Sequence, residues 1–257
     1  MGYKTIKIEK QETFAIVTID RPPANAINTE LVQEIGQAFP ELEKDEALRS
    51  IILTGAGDKI FSAGADLGSG FGGDVDALIG GFHKSLMKIE RCSKPVIAAL
   101  NGHAFGGGCE ISLACHFRIL KKTARIGLTE SNLGIIPGAG GTQRMPRVIG
   151  RAKALEYMIF GKQVPAEEAL AVGLVTALSE EGKVLDDAKE LARKLAERAP
   201  VATKLLIDCV SRGMEMPLEE SLYKVEMEDF MQVVKTGDAA EGIQAFFQKR
   251  KAEFKGK

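Results

Sequence analysis

Apolar residues recur along this chain in two rhythms, which alternate through the first half and reduce to one at the end. Residues 4–9 alternate apolar and polar as a half-buried strand does, and residues 14–19 follow as a second strand. Arg21-Pro22-Pro23-Ala24-Asn25 breaks that pattern. Asn28 or Thr29 can then cap a helix running towards Leu42, with Pro40 an awkward presence near its end. Residues 50–55, 95–100 and 117–120 are short continuous apolar runs, the pattern of strands covered on both faces. Helix-like stretches lie near 75–91 and 107–115. Strands alternating with helices predict parallel βα units.

Beyond about residue 183 only the helical period remains. Leu185, Ala188, Leu191, Leu195 and Ala196 share a face, Ala199-Pro200 stops the run, and helical patterns recur at 201–213, 217–235 and 238–252. The pattern predicts an α/β body over residues 1–182 and an all-helical tail over 183–257, of the kind that packs on neighbouring subunits. Residues 68–81 are glycine-rich and aperiodic, which predicts a mobile loop.

At 257 residues and 45% hydrophobic content the chain can bury a substantial core. Its net charge of −1 gives no bulk electrostatic case for a nucleic-acid or membrane-surface partner. One basic run stands out, Lys249-Arg250-Lys251 with Lys255 and Lys257. It reads either as a solvated helix end or as a docking point for a polyanionic ligand. Cys92, Cys109, Cys115 and Cys209 have no C-x-x-C spacing and read as reduced core thiols of a cytoplasmic protein. His83, His103 and His116 lack the spacing of a metal site or a Ser/His pair. No apolar run approaches the roughly 20 residues that span a bilayer. The first residues read as a strand, not a targeting segment.

Candidate chemistry gathers after the strands, where α/β sheets bind ligands. Phe61-Ser62-Ala63-Gly64-Ala65-Asp66-Leu67 sets small residues there, which taken alone is also what a tight turn looks like. In Asn101-Gly102-His103-Ala104-Phe105-Gly106-Gly107-Gly108-Cys109-Glu110 three glycines open a helix. Glycine lets backbone amides approach a ligand, and a helix start offers unpaired N–H groups and the positive end of a dipole. The stretch can therefore hold an oxygen on which negative charge develops, with Glu110 in reach. Close helix–sheet packing, with Glu110 merely complementing the dipole, accounts for it too, and both readings stand. Glu130 lies in a run from Leu128 to Arg144 rich in apolar residues and rigid turns. A lone loop acid is ordinarily solvated, but this setting would desolvate it and raise its pKa. Two acids beside an anion-friendly helix start suggest an enzyme working on a carbonyl.

The chain resembles the enoyl-CoA hydratase (crotonase) family of acyl-CoA enzymes over essentially its whole length. The matching motifs are F-S-A-G-A-D-L, N-G-x-A-x-G-G-G-C-E and T-E-x-x-L-G-I-I-P-G-A-G-G-T-Q-R. The resemblance implies an α/β crotonase fold of repeated ββα units with a helical trimerisation region, assembled as a trimer or a dimer of trimers. It implies an oxyanion hole at the amides of Ala65 and Gly107. It gives Glu110 the water for attack at the β carbon and Glu130 the α-carbon proton. It puts coenzyme A against Ala24, Ala63, Gly64, Ala65, Asp66, Leu67 and Gly107, with Phe230 and Lys249 contributed by a neighbouring subunit. No metal or separate cofactor is implied, because coenzyme A is part of the substrate. Two places depart from the hydratase pattern: residues 21–27 are one residue shorter, and residues 68–81, where the family lines its acyl pocket, are unusually glycine-rich. Hydration of a trans-2-enoyl-CoA is the leading expectation. Methylglutaconyl-CoA hydration would use the same two acids, and double-bond isomerisation would need only Glu130. A non-catalytic RNA-binding relative is disfavoured by the near-neutral charge.

Overall fold

Two antiparallel strands, β1 (Ile6–Lys10) and β2 (Phe14–Ile19), begin the fold, and helix α1 (Thr29–Lys44) follows them. The structure, a computed structural model, describes residues 2–66 and 75–257. The same strand–strand–helix unit then repeats. β3 (Ser50–Gly55), β4 (Ile60–Ser62) and α2 (Val75–Glu90) form the second unit. β5 (Val96–Leu100), β6 (His103–Phe105) and α3 (Gly107–Ala114) form the third. β7 (Phe117–Lys121) and β8 (Arg125–Gly127) lead into a 3-10 turn, Glu130–Leu133, and helices α4 (Gly141–Ile149) and α5 (Arg151–Ile159). β9 (Val164–Pro165), α6 (Ala166–Ala171) and β10 (Ala177–Ser179) complete the α/β part. Five helices follow: α7 (Val184–Ala196), α8 (Pro200–Gly213), α9 (Leu218–Ser221), α10 (Met227–Val233) and α11 (Gly237–Gln248). A π-helical turn, Leu222–Glu226, joins α9 to α10.

The strands of each unit divide between two sheets. One has six strands in the order β1-β2-β3-β5-β7-β10, parallel from β2 onwards; the other has four, β4-β6-β8-β9. The continuous apolar runs have a direct explanation in the large sheet. Ile51, Leu53, Val96, Ala98 and Leu100 face one core, shared with α1 and α2. Ile52, Ile97, Ala99 and Ile119 face a second, beneath Val184, Ala188 and Ala192 of α7. Alternate residues thus enter opposite cores, and neither face is left polar. The 182/183 division drawn from sequence falls ahead of α7, a helix that covers this sheet. Helices α8 to α10 pack mainly on one another.

Local chemistry explains why α1 tolerates a proline. Its Asn28 cap accepts from Leu31 N at 3.0 Å. Pro40 lacks the N–H that would reach the Gly36 carbonyl. Lys88 Nζ, from α2, donates to that carbonyl at 2.6 Å instead.

Several sequence expectations are corrected. The glycine-rich segment does not run unstructured to residue 81, because Val75–Glu90 is helical; what precedes it, with Leu67, lies outside the described residues. Pro200 does not only stop α7: its fixed φ also opens α8. The last helix ends at Gln248, where Lys249 turns left-handed (φ 53°). Cys92, Cys109 and Cys115 are buried, but Cys209 is only half-buried.

Candidate active site

Gly106, Gly107 and Gly108 divide the work that the sequence left between two readings. Gly108 serves packing, since a Cβ there would lie 2.6 Å from the Ser62 carbonyl oxygen. Gly106 has φ 53° and ψ −126°, a conformation open to glycine, and passes directly under Glu130. A Cβ on Gly106 would sit 3.3 Å from Glu130 Oε1. Gly107 opens α3, so its N–H is one of the orphan donors of a helix start.

The second amide comes from the loop after β4. Residues 64–66 pair with Ile27 as an isolated parallel bridge: Ile27 N donates to Gly64 O at 2.8 Å and Asp66 N to Ile27 O at 2.9 Å. In that register the intervening Ala65 N–H points away from Ile27. It points towards α3, where a Cβ on Gly107 would be 3.7 Å from Ala65 N. Among the described residues neither the Ala65 nor the Gly107 N–H has a protein acceptor. Two unpaired donors from separate loops therefore lie side by side.

The loop that carries Ala65 is laced to the turn after β2. Ala63 N donates to Ala24 O at 3.0 Å, and Ser62 Oγ donates to Asn25 O at 2.8 Å. Arg21 pairs with Asp66 at 2.7 Å and donates to Ala26 O. Buried Asn25 donates to the Ala56 and Ile60 carbonyls. The structure thus brings Ala24, Ala63, Gly64, Ala65 and Asp66 together with Gly107. Phe230 and Lys249 lie elsewhere, on α10 and at the end of α11, where Phe230 is 62% exposed.

Glu110 stands one turn into α3 and is 2% exposed. Its Oε1 accepts from Ala139 N at 2.7 Å and from Gly141 N at 2.8 Å. Burial raises its pKa; these amides and the Arg144 guanidinium oppose the rise. Glu130 begins the 3-10 turn, and its Oε2 is buried without a protein partner. Burial, then the nearby Glu110 carboxylate, push Glu130 up to about 7. The two acids are therefore tuned differently. Glu110 is held by donors that favour its anion, and Glu130 is poised to carry a proton near neutral pH.

Sequence reasoning did not assign Ala139 and Gly141, whose amides clamp Glu110, or Asn25 and Ser62, which brace the Ala65 loop. Arg144 was quoted in a motif without a role. It is the one cation in the run from Leu128 to Arg144, and that isolation was the available signal.

The sequence model of the enoyl-CoA hydratase/isomerase family matches residues 9–257. A probable enoyl-CoA hydratase of Bacillus subtilis (strain 168) is 42% identical over 98% of both chains. A short-chain-enoyl-CoA hydratase of Clostridium acetobutylicum is 39% identical, again over 98% of both. The crystal structure of an enoyl-CoA hydratase from Bacillus anthracis superposes with a TM-score of 0.94 at 37% identity, covering 99% of this chain and 100% of that one. Fold and sequence agree, and the chain belongs to the enoyl-CoA hydratase/isomerase family.

Proposed function

We propose that this protein is an enoyl-CoA hydratase, adding water across the trans-2 double bond of an enoyl-CoA thioester to give a 3-hydroxyacyl-CoA. The observation that carries the reading is the pairing of two differently tuned acids, one buried and one half-buried, with two adjacent unpaired amides. The amides of Ala65 and Gly107 receive the thioester oxygen and stabilise the enolate as charge moves onto it. Glu110, whose carboxylate accepts two backbone N–H groups, takes a proton from water as it attacks the β carbon. Glu130 delivers a proton to the α carbon, a task suited to its pKa of about 7. The amide clamp on Glu110 favours hydration over isomerisation, which needs one acid only.

Coenzyme A lies along Ala24, Ala63, Gly64 and Asp66 in this reading, with Phe230 and Lys249 supplied by a neighbouring subunit. Exposed apolar side chains support a homo-oligomer, a trimer or a dimer of trimers: Phe246 and Phe247 on α11 are 79% and 76% exposed, and Ile136 beside the site 76%. No cofactor is called on, since acids and amides supply the chemistry. Among the described residues no helix is long and apolar enough to cross a membrane. We assign the protein to the cytoplasm from its unpaired cysteines. The name of the Clostridium relative favours a short acyl chain.

Loss of the conjugated thioester absorbance of crotonyl-CoA tests the mechanism. Glu110→Gln and Glu130→Gln should each slow hydration by about 10²–10⁴-fold. Full activity in either variant would contradict the two-acid assignment.

A further inference from the structure

We propose that Arg144 is a positioning residue for hydration, holding the amide clamp on Glu110 and tying it through Glu90 to α2. The inference rests on the reading of Glu110 as the base that activates water. Ala139 offers its N–H to Glu110 and its carbonyl to Arg144 Nη1, at 3.0 Å. The remaining guanidinium nitrogens reach Glu90, the last residue of α2, with Nε and Nη2 3.2 and 2.8 Å from Oε2. The fit is close: a Cβ on the intervening Gly140 would fall 2.1 Å from Arg144 Nη1. A second tether from α2 joins His83 Nε2 to Gly138 O at 2.8 Å. Residues 138–141 are thus held from outside at two points while their inner amides face Glu110.

Charge and geometry act in the same direction here. Glu130 of the 3-10 turn and Arg144 of α4 act on Glu110 by charge, with Cys109 next to it on α3; from α2, Glu90 and His83 contact Arg144 and Gly138, and Arg118 acts on Cys109. Arg118 is occupied by the carbonyls of Leu174, Ser112 and Cys115. Arg144 is therefore the cation set to favour the Glu110 anion, and Glu90 moderates it. Its side chain is 10% exposed, so solvent screens this charge weakly. Without Arg144, the Ala139 peptide loses its anchor and Glu110 keeps its proton to higher pH. A protonated Glu110 cannot accept a proton from water.

The test is the pH dependence of kcat and KM for crotonyl-CoA hydration, with melting temperatures alongside. In Arg144→Met the rising limb should move to higher pH, kcat at neutral pH should fall on the order of tenfold, and KM should stay within about twofold. Arg144→Lys keeps the charge and should hold the limb nearer its wild-type position. Glu90→Gln removes the moderating carboxylate and should move the limb to lower pH; it also decides the matter if Arg144→Met does not fold. A purely structural role predicts no such opposition of sign. Limbs unmoved in folded variants would overturn the proposal. Glu110→Gln at wild-type activity would instead overturn the reading beneath it.

Discussion

At Glu130, burial and the Glu110 carboxylate bring the pKa up to about 7, so near neutral pH the group is divided between its two forms. In the proposed mechanism hydration needs it protonated and Glu110 ionised, and the reverse reaction needs the single proton of the pair on the other side. Activity should therefore decline above pH 7, approaching tenfold per pH unit, in a limb that belongs to the coupled pair. The same shift has a consequence for stability. A carboxyl whose folded pKa exceeds its unfolded value contributes stability that is present at low pH and lost as pH rises through the folded value. Glu130→Gln should consequently raise Tm at about pH 8 and change it little at about pH 5, as thermal melts at the two pH values would report. A fall at about pH 8 would mean that the Glu130 anion is favourably bound. Sequence exposed this residue through its setting between apolar positions and glycines. It did not expose the Ala139 and Gly141 amides that hold Glu110, because backbone donors leave no mark in residue identity.

Elements were legible in proportion to how far packing follows local pattern. β2 and β3 match their predicted spans because each strand sends side chains into two cores and is therefore mostly apolar along its length. The strands β4, β6 and β8 have three residues each, too few for a period, and they exist because the neighbouring strand of each unit is already in place. Helices α4 to α6 were not anticipated, since turns and proline dominate the surrounding sequence. In α1, Pro40 reads locally as a break, yet a long-range partner removes the penalty. Lys88→Met should strand the Gly36 carbonyl and cost about 1–3 kcal/mol, measurable as a lower urea midpoint with an unchanged slope. An unchanged midpoint would show that water replaces the ammonium at no cost.

Across the whole molecule, four strand–strand units place their loops so that residues distant in sequence converge. Ala65 follows β4, Gly107 follows β6 and Glu130 follows β8, and these three strands are neighbours in the small sheet. That adjacency explains why one fold delivers two amides and an acid to the same place. The helical tail is different: its amphipathic period was plain, but its partner surface lies outside a single chain's local pattern. The family motifs supplied the expectation of a neighbouring subunit at Phe230 and Lys249, and the exposed α11 aromatics are consistent with it. The central claim is that this site joins water to a carbon–carbon double bond. Mass spectrometry of crotonyl-CoA incubated with the wild-type protein tests it most directly. The account predicts a product heavier by one water molecule, and a product of unchanged mass, the signature of isomerisation, would contradict it.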